Sequence, residues 1–139
     1  MAYDPNNVFA KILRGEIPCT RVYEDADTLA FMDIMPRCDG HTLVIPKTPA
    51  RNVLDASPAQ LAACLATVQK IAKAQMKAFG AGGITIQQFN EPAGGQVVFH
   101  LHYHVMPRHE GVALNRHTGK MADTAVLAAN AAKIKAALR

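Results

Sequence analysis

The sequence predicts an α+β fold: an antiparallel sheet of about five short strands with helices packed against one face. Three observations carry this. Short runs of alternating apolar and polar residues, punctuated by turn residues, follow one another in hairpin order. One long segment of helical periodicity interrupts them. The last run, "VVFHLHYHVMPR" from Val97 to Arg108, alternates strictly, which puts His100, His102 and His104 on one side and Phe99, Leu101, Tyr103 and Val105 on the other.

Each element has a local cause. In "NNVFAKILRG", Asn7 is a candidate N-cap, Val8, Phe9, Ile12 and Leu13 share a helical face, and Gly15 falls where a left-handed C-cap belongs. "TRVYEDADTLAFMDI" reads as a hairpin turning at "DAD". "HTLVIP", His41 to Pro46, is a short strand closed by proline. The long helix starts at Ser57, with Pro58 in its first turn and Gln60 completing a capping box. Its apolar stripe is predicted at Leu61, Leu65, Val68, Ala72, Met76 and Phe79, and Gly80 ends it. Such a stripe serves either the core of one chain or a dimer interface. "ITIQQFN" and the histidine strand follow, joined by the loop "EPAGG". The alanine-rich "ADTAVLAANAAKIKAALR" predicts a terminal helix. With no repeat or linker, residues 1–139 read as one domain, with a motif-bearing core at 7–108 and a helical tail at 109–139.

Composition excludes several classes. Half of the 139 residues are hydrophobic and 19% are charged, which is neither disordered nor fibrous. No apolar run approaches the roughly 20 residues of a membrane span. The opening "MAYDPNNVFAKILRGEIP" lacks the basic patch and apolar block of a signal peptide. Three cysteines without a CxxC pair argue against a disulfide framework. The expectation is a soluble cytoplasmic protein with no membrane partner. A net charge of +4, spread along the chain, suits small phosphorylated ligands and not a nucleic-acid duplex.

Three imidazoles on one strand face admit three readings. A solvated strand face tolerates histidine, which explains one such residue better than three. A metal site is the second, since histidines at i and i+2 can chelate zinc or copper. Met106 and Pro107 stand where a cupin-like site would place a glutamate, Glu110 comes too late, and the cysteines offer no ligand pattern. The third is nucleophilic catalysis on phosphorus. Neutral imidazole is a nucleophile near pH 7, and neighbouring imidazoles fix its tautomer and protonate a leaving group. The preceding "NEPAGGQ" suits this: Gly94 and Gly95 let backbone N–H groups approach an anion, and Asn90 and Gln96 carry donors.

"HLHYHVM" resembles the His-x-His-x-His-x-x motif, with apolar x, of the histidine triad (HIT) superfamily of nucleotide hydrolases and transferases, in its bacterial and Hint-like branches. "VFAKILRGEIPCTRVYEDADTLAFMDIMPRCDGHTLVIPK" is similar to the N-terminal half of that family, and "NEPAGGQVVFHLHYHVMPR" to its C-terminal motif, so the likeness spans Asn7 to Arg108. The resemblance implies an α+β fold pairing into a homodimer with a continuous sheet. It implies attack by His102 on the α-phosphorus of a purine nucleotide, through a nucleotidyl-histidine intermediate. His104 would contact the phosphate and assist the leaving group, His100 would orient the nucleophile, and His41 would support the cluster. Asp33 would hold the ribose hydroxyls, and Phe9, Ile17, Phe31, Ile34 and Leu43 would wall the base. Asn90, Gly95, Gln96, Val97 and Val98 would flank the phosphate. No cofactor or bound metal is required, although a divalent metal can accompany a polyphosphate substrate.

The chain departs from relatives at three places. Val97 stands where the Hint phosphoramidases have a serine near the leaving group. Phe9 and Ala10, with "PKTP", replace the CxxC and histidine through which some bacterial relatives hold structural zinc. His104 is histidine and not the glutamine of the uridylyltransferase branch, which implies water as final acceptor. The expected activity is hydrolysis of nucleoside phosphoramidates or dinucleoside polyphosphates. The alternative is a non-catalytic nucleotide-binding or interaction module. His109 and His117, past the motif, are expected at the surface.

Overall fold

Alternation and capping signals become eight regular elements in the computed structural model, which describes residues 2–116 and 119–139. They are α1 (Val8–Leu13), β1 (Arg21–Glu24), β2 (Thr28–Met32), β3 (Thr42–Pro46), α2 (Pro58–Phe79), β4 (Gly83–Gln87), β5 (Tyr103–Arg108) and α3 (Thr124–Ala137). The strands form one antiparallel sheet in the order β1-β2-β3-β5-β4. The expected fold class is therefore the observed one, except that the helices do not share one face: α2 and α3 pack on one side and α1 on the other. No helix among the described residues is long and apolar enough to cross a membrane.

The two faces of the sheet do different work. Ala30, Met32, Val44, Leu101, Tyr103 and Val105 point toward α2 and α3 and form the main core with Val68, Ile71, Leu127 and Ile134. On the opposite face Leu29, Phe31, Leu43 and Ile45 pack with Phe9 and Ile12 of α1. All residues of β2 and β3 are buried because both faces are covered. His104 pairs with Leu43 across β3 and β5 and therefore shares the α1 face. That register places the histidines on the thinly covered side of the sheet.

Capping of α2 follows the local pattern. The Ser57 hydroxyl accepts from the Gln60 N–H at 3.1 Å, and the Gln60 side chain accepts from the Ser57 N–H at 2.8 Å. Gly80 ends the helix in the left-handed region. The buried face matches the predicted stripe only in part: Val68 is in the core and Leu61, Ala72 and Phe79 pack against it. Cys64, Thr67, Val68, Ile71, Ala74 and Gln75 are buried. Leu65 and Met76 are 51% and 39% exposed. The buried face is rotated by roughly a quarter turn because two polar residues sit on it. Gln75 Nε2 donates to the carbonyls of Gly40 (3.0 Å) and Val105 (2.9 Å), and Thr67 shares a hydrogen bond with Thr28. Gln75 thereby ties the turn before His41 to the strand carrying His104.

The histidine strand is shorter than predicted. β5 begins at Tyr103, and residues 97–102 run along the 46–52 segment without a strand partner. Contacts are side chain to backbone or single bonds there: Leu101 N–H donates to the Ala50 carbonyl at 2.8 Å. The alternation still holds, with Leu101 in the helix-side core and His100 and His102 on the other side. Phe99 leaves the core pattern and stacks under the Arg51 guanidinium at 4.2 Å. The tail forms α3, capped by Asp123 and packed through Leu127, Ala131 and Ile134. His109 is exposed, and His117 lies outside the described residues.

Gly40, just before His41, has φ of +88°. A Cβ there would lie 2.6 Å from Phe79 Cε2 and 3.0 Å from Pro107 Cγ. Strain and overpacking act together, so Gly40→Ala is expected to cost about 3 kcal/mol or more. Urea unfolding of the variant beside wild type measures it.

Candidate active site

Loops at the ends of β2, β3 and β5 and helix α1 enclose a cavity of about 270 Å³, at the small end for ligand pockets. Phe9, Ile17, Phe31, Ile34 and Leu43 form its apolar wall, with Asp33, His41, His102, His104, Gly95, Val97 and Val98 on the remaining sides. Twelve of the fifteen residues expected at the site thus meet in one space. His100, Asn90 and Gln96 do not line it.

The hydrogen bonds determine the imidazole tautomers. The Arg37 backbone N–H donates to His41 Nδ1 at 3.0 Å. A neutral His41 must then carry its proton on Nε2, which lies 2.9 Å from His104 Nδ1 and 3.4 Å from Asp33 Oδ2. His104 accepts at Nδ1, so its own proton sits on Nε2. On the neighbouring residue, His102 Nδ1 lies 2.6 Å from the His100 carbonyl, which only accepts. His102 is therefore protonated on Nδ1 and keeps its lone pair on Nε2. The rings of His102 and His104 lie 5.1 Å apart, and Phe9 packs edge-on against His102 at 4.9 Å. Two imidazoles of defined tautomer thus stand side by side on the cavity wall, with His104 Nε2 itself buried.

His100 is fully buried behind them. Its Nε2 is 2.8 Å from the Pro46 carbonyl and its Nδ1 is 2.6 Å from the Tyr3 hydroxyl. Burial holds its pKa below the ordinary 6.5, more strongly than the Pro46 hydrogen bond raises it. The folded protein therefore protonates this ring at lower pH than the unfolded chain, which takes up a proton near about pH 6.5. The unfolded state then binds more protons, so stability falls as pH drops below about 6.5. The urea midpoint is expected to decline from about pH 7.5 to about pH 5.5, with a shallower slope in His100→Gln.

The "NEPAGGQ" loop is held rigidly. Arg51 pairs with Glu91 at 2.7 and 3.0 Å, and Asn52 donates to Glu91 at 2.6 Å. The Arg51 guanidinium holds the Glu91 carboxyl below its usual range. Glu91 itself adopts φ of +65°, and Gly95 +95°. A Cβ at Gly95 would press on Phe89 at 3.3 Å. Gln96 was expected to donate to an anion, but both its amide hydrogens go to the carbonyls of Arg51 (2.7 Å) and Val98 (3.0 Å). Asn90 bonds the Val53 N–H and the Gln88 side chain. These two amides build the loop, of which Gly95 lines the cavity.

The ring nitrogens of His100 are directed at Tyr3 and Pro46, so the three strand histidines do not converge on one point. The residues whose ligand atoms do gather, within 4.8 Å of one another, are Asp33, His41 and His104. The 2.9 Å between His41 Nε2 and His104 Nδ1 is hydrogen-bond spacing. Two nitrogens on a tetrahedral zinc stand about 3.3 Å apart, so a cation would have to displace the His41 proton and spread the rings. The donor set fits a proton better than a metal.

Several site residues carry no signal in local sequence. Arg37 lines the cavity and reaches Gln87 Oε1 at 3.1 Å and the Asn115 carbonyl at 2.9 Å. Phe89 packs edge-on against His104 at 5.7 Å. Val8, Ile12, Pro18, Cys19, Met32 and Met35 complete the lining. Burial pushes the Cys19 thiol up, away from a reactive thiolate.

With this geometry in hand, comparison with known proteins gives a consistent result. The HIT domain family matches residues 14–111. "Adenylylsulfatase HINT3" of Arabidopsis thaliana is 38% identical over 120 residues, covering 82% of this chain and 61% of that protein, so the chain spans about three fifths of it. "Adenosine 5'-monophosphoramidase hnt1" of Schizosaccharomyces pombe is 39% identical over 101 residues, 73% of each. The crystal structure of a Hit-like protein involved in cell-cycle regulation from Bartonella henselae superposes with a TM-score of 0.94, at 56% identity and 99% coverage of both chains.

Proposed function

The chain belongs to the HIT domain family, and from that premise we propose that it is a nucleotide hydrolase that cleaves at the α-phosphorus through covalent attack by His102. The observation that carries this is the His102 Nδ1–His100 carbonyl bond of 2.6 Å, which assigns the ring proton to Nδ1 and the lone pair to Nε2 in a histidine that lines the cavity. The names of two relatives, an adenylylsulfatase and a phosphoramidase, support hydrolysis of nucleotides as the class of reaction.

Asp33 would bind the ribose hydroxyls, and the Phe9–Ile17–Phe31–Ile34–Leu43 wall would enclose a purine. In the first step His102 Nε2 forms a bond to the α-phosphorus while the bond to the leaving group breaks. The leaving group takes the Nε2 proton of His104 in its imidazolium form, which returns to a neutral ring. Backbone N–H groups around Gly95 and Val97 would bind the phosphoryl oxygens. In the second step water attacks phosphorus, its proton returns to His104, and the P–N bond to His102 breaks. Val97 has no hydroxyl, so leaving-group protonation is assigned to His104.

β4 is an edge strand whose Ile86 is half exposed, and two copies paired along it would continue the sheet. Sedimentation measures that dimer. The activity itself is tested by steady-state hydrolysis of an adenosine phosphoramidate, adenylyl sulfate and a diadenosine polyphosphate. Turnover on at least one is the expected result. Nucleotide binding with no turnover on any of the three would overturn the proposal in favour of a binding module.

A further inference from the structure

We propose that Tyr3, which precedes the matched span and the first helix, is a positioning residue for His102 that acts through His100; the inference rests on the hydrolase reading above. The "DPNN" turn returns the chain over the histidines. Asp4 Oδ1 accepts from the Asn6 N–H at 2.9 Å, and its carbonyl accepts from Asn7 Nδ2 at 2.7 Å. Asn7 Oδ1 in turn caps α1 by accepting from the Ala10 N–H at 2.9 Å. Arg14, at the far end of α1, donates to the Pro5 carbonyl at 2.8 Å. One short unit therefore presents Tyr3 and Phe9 to His100 and His102.

Donor directions around His100 are fixed by its partners. The Pro46 carbonyl, 2.8 Å from Nε2, only accepts, so Nε2 carries the proton. The neutral ring then has its lone pair on Nδ1, and the Tyr3 hydroxyl donates to it across 2.6 Å. The two rings also meet edge-on at 5.6 Å. His100 is thus gripped at both nitrogens, and its backbone carbonyl is the acceptor that sets the His102 tautomer. Without Tyr3, Nδ1 lacks its donor in a fully buried position, and the ring gains a second orientation and a route to protonation. Either change disturbs the carbonyl on which the nucleophile depends.

Tyr3→Phe keeps the ring contact and removes only the hydroxyl. Nitrogen-15 spectra of the histidine rings report tautomers directly. Wild type is expected to show His100 protonated on Nε2 alone and His102 on Nδ1 alone, and Tyr3→Phe to show mixed populations at both. The turnover number should fall about tenfold, the equivalent of one well-made hydrogen bond, with KM changed less than about twofold. The acid limb of the pH profile should move upward. Unchanged ring-nitrogen signals, or changed signals with unchanged kcat, would overturn the assignment. If wild type hydrolyses nothing, the hydrolase reading fails on its own account, and the His102 tautomer populations in the two proteins still decide whether Tyr3 positions that ring.

Discussion

His102→Ala is expected to lose turnover by a factor on the order of 10⁴ to 10⁶ while nucleotide affinity changes by about threefold or less. The asymmetry follows from where the ring sits. In the proposed mechanism His102 provides the attacking Nε2, whereas the apolar wall and Asp33 lie elsewhere in the cavity. Losing the nucleophile removes an interaction made only on the way to the transition state, which lowers kcat and kcat/KM together. Loss of the ring also removes the edge contact with Phe9 at 4.9 Å, whose effect on binding is modest. Single-turnover kinetics with equilibrium binding of a nucleoside monophosphate separate the two quantities. A variant that keeps more than about a tenth of wild-type turnover would contradict the role assigned to His102.

The second large effect belongs to His104, and it depends on the substrate. In the proposed mechanism His104 gives the proton to the departing group, and Val97 has no hydroxyl to supply one. His104→Ala should therefore slow the first step by about 10² to 10⁴ for an amine leaving group, the usual span of general acid catalysis. Sulfate departs as a stable anion and needs no proton. Adenylyl sulfate hydrolysis should accordingly fall by much less, about tenfold, mostly through lost contact with the phosphoryl oxygens. Steady-state kcat/KM on the two substrates gives the ratio. Equal losses on both would mean that His104 binds the phosphate and does not protonate the leaving group.

The parts of this architecture visible in the sequence are those with local causes. Ser57, Gln60 and Gly80 fix the ends of α2 through contacts within one turn, and the pattern predicts them correctly. Alternation at His100, His102 and His104 predicts their common side even where no strand forms. Part of the buried face of α2 is hidden from the sequence because Gln75 reads as a solvent residue. Its partners, Gly40 and Val105, come from 35 and 30 residues away and make a polar side chain a core one. The start of β5 at Tyr103 depends on lateral partners in β3 and β4, which alternation cannot report.

The site divides in the same way. The three strand histidines stand out by spacing, whereas His41 and Asp33 are found only through the family likeness. Their coupling is made by the Arg37 N–H and the His104 ring, contacts that exist only once the sheet has formed. Gln96 shows the converse. Beside two glycines it reads as an anion donor, yet the fold directs its amide into the loop that Glu91 and Arg51 clamp. Tyr3 and Phe89 reach the histidines from elements that carry no motif of their own.

The central claim is a covalent bond between His102 and the α-phosphorus, and rapid-quench trapping tests it most directly. Wild type and His102→Ala are mixed with an α-labelled adenosine phosphoramidate and denatured within milliseconds. Acid-labile label on wild-type protein, mapped to His102 and absent from the variant, is the predicted result. Wild-type turnover with inversion at a chiral α-phosphorothioate and no trapped label would mean one direct displacement by water, and would contradict it.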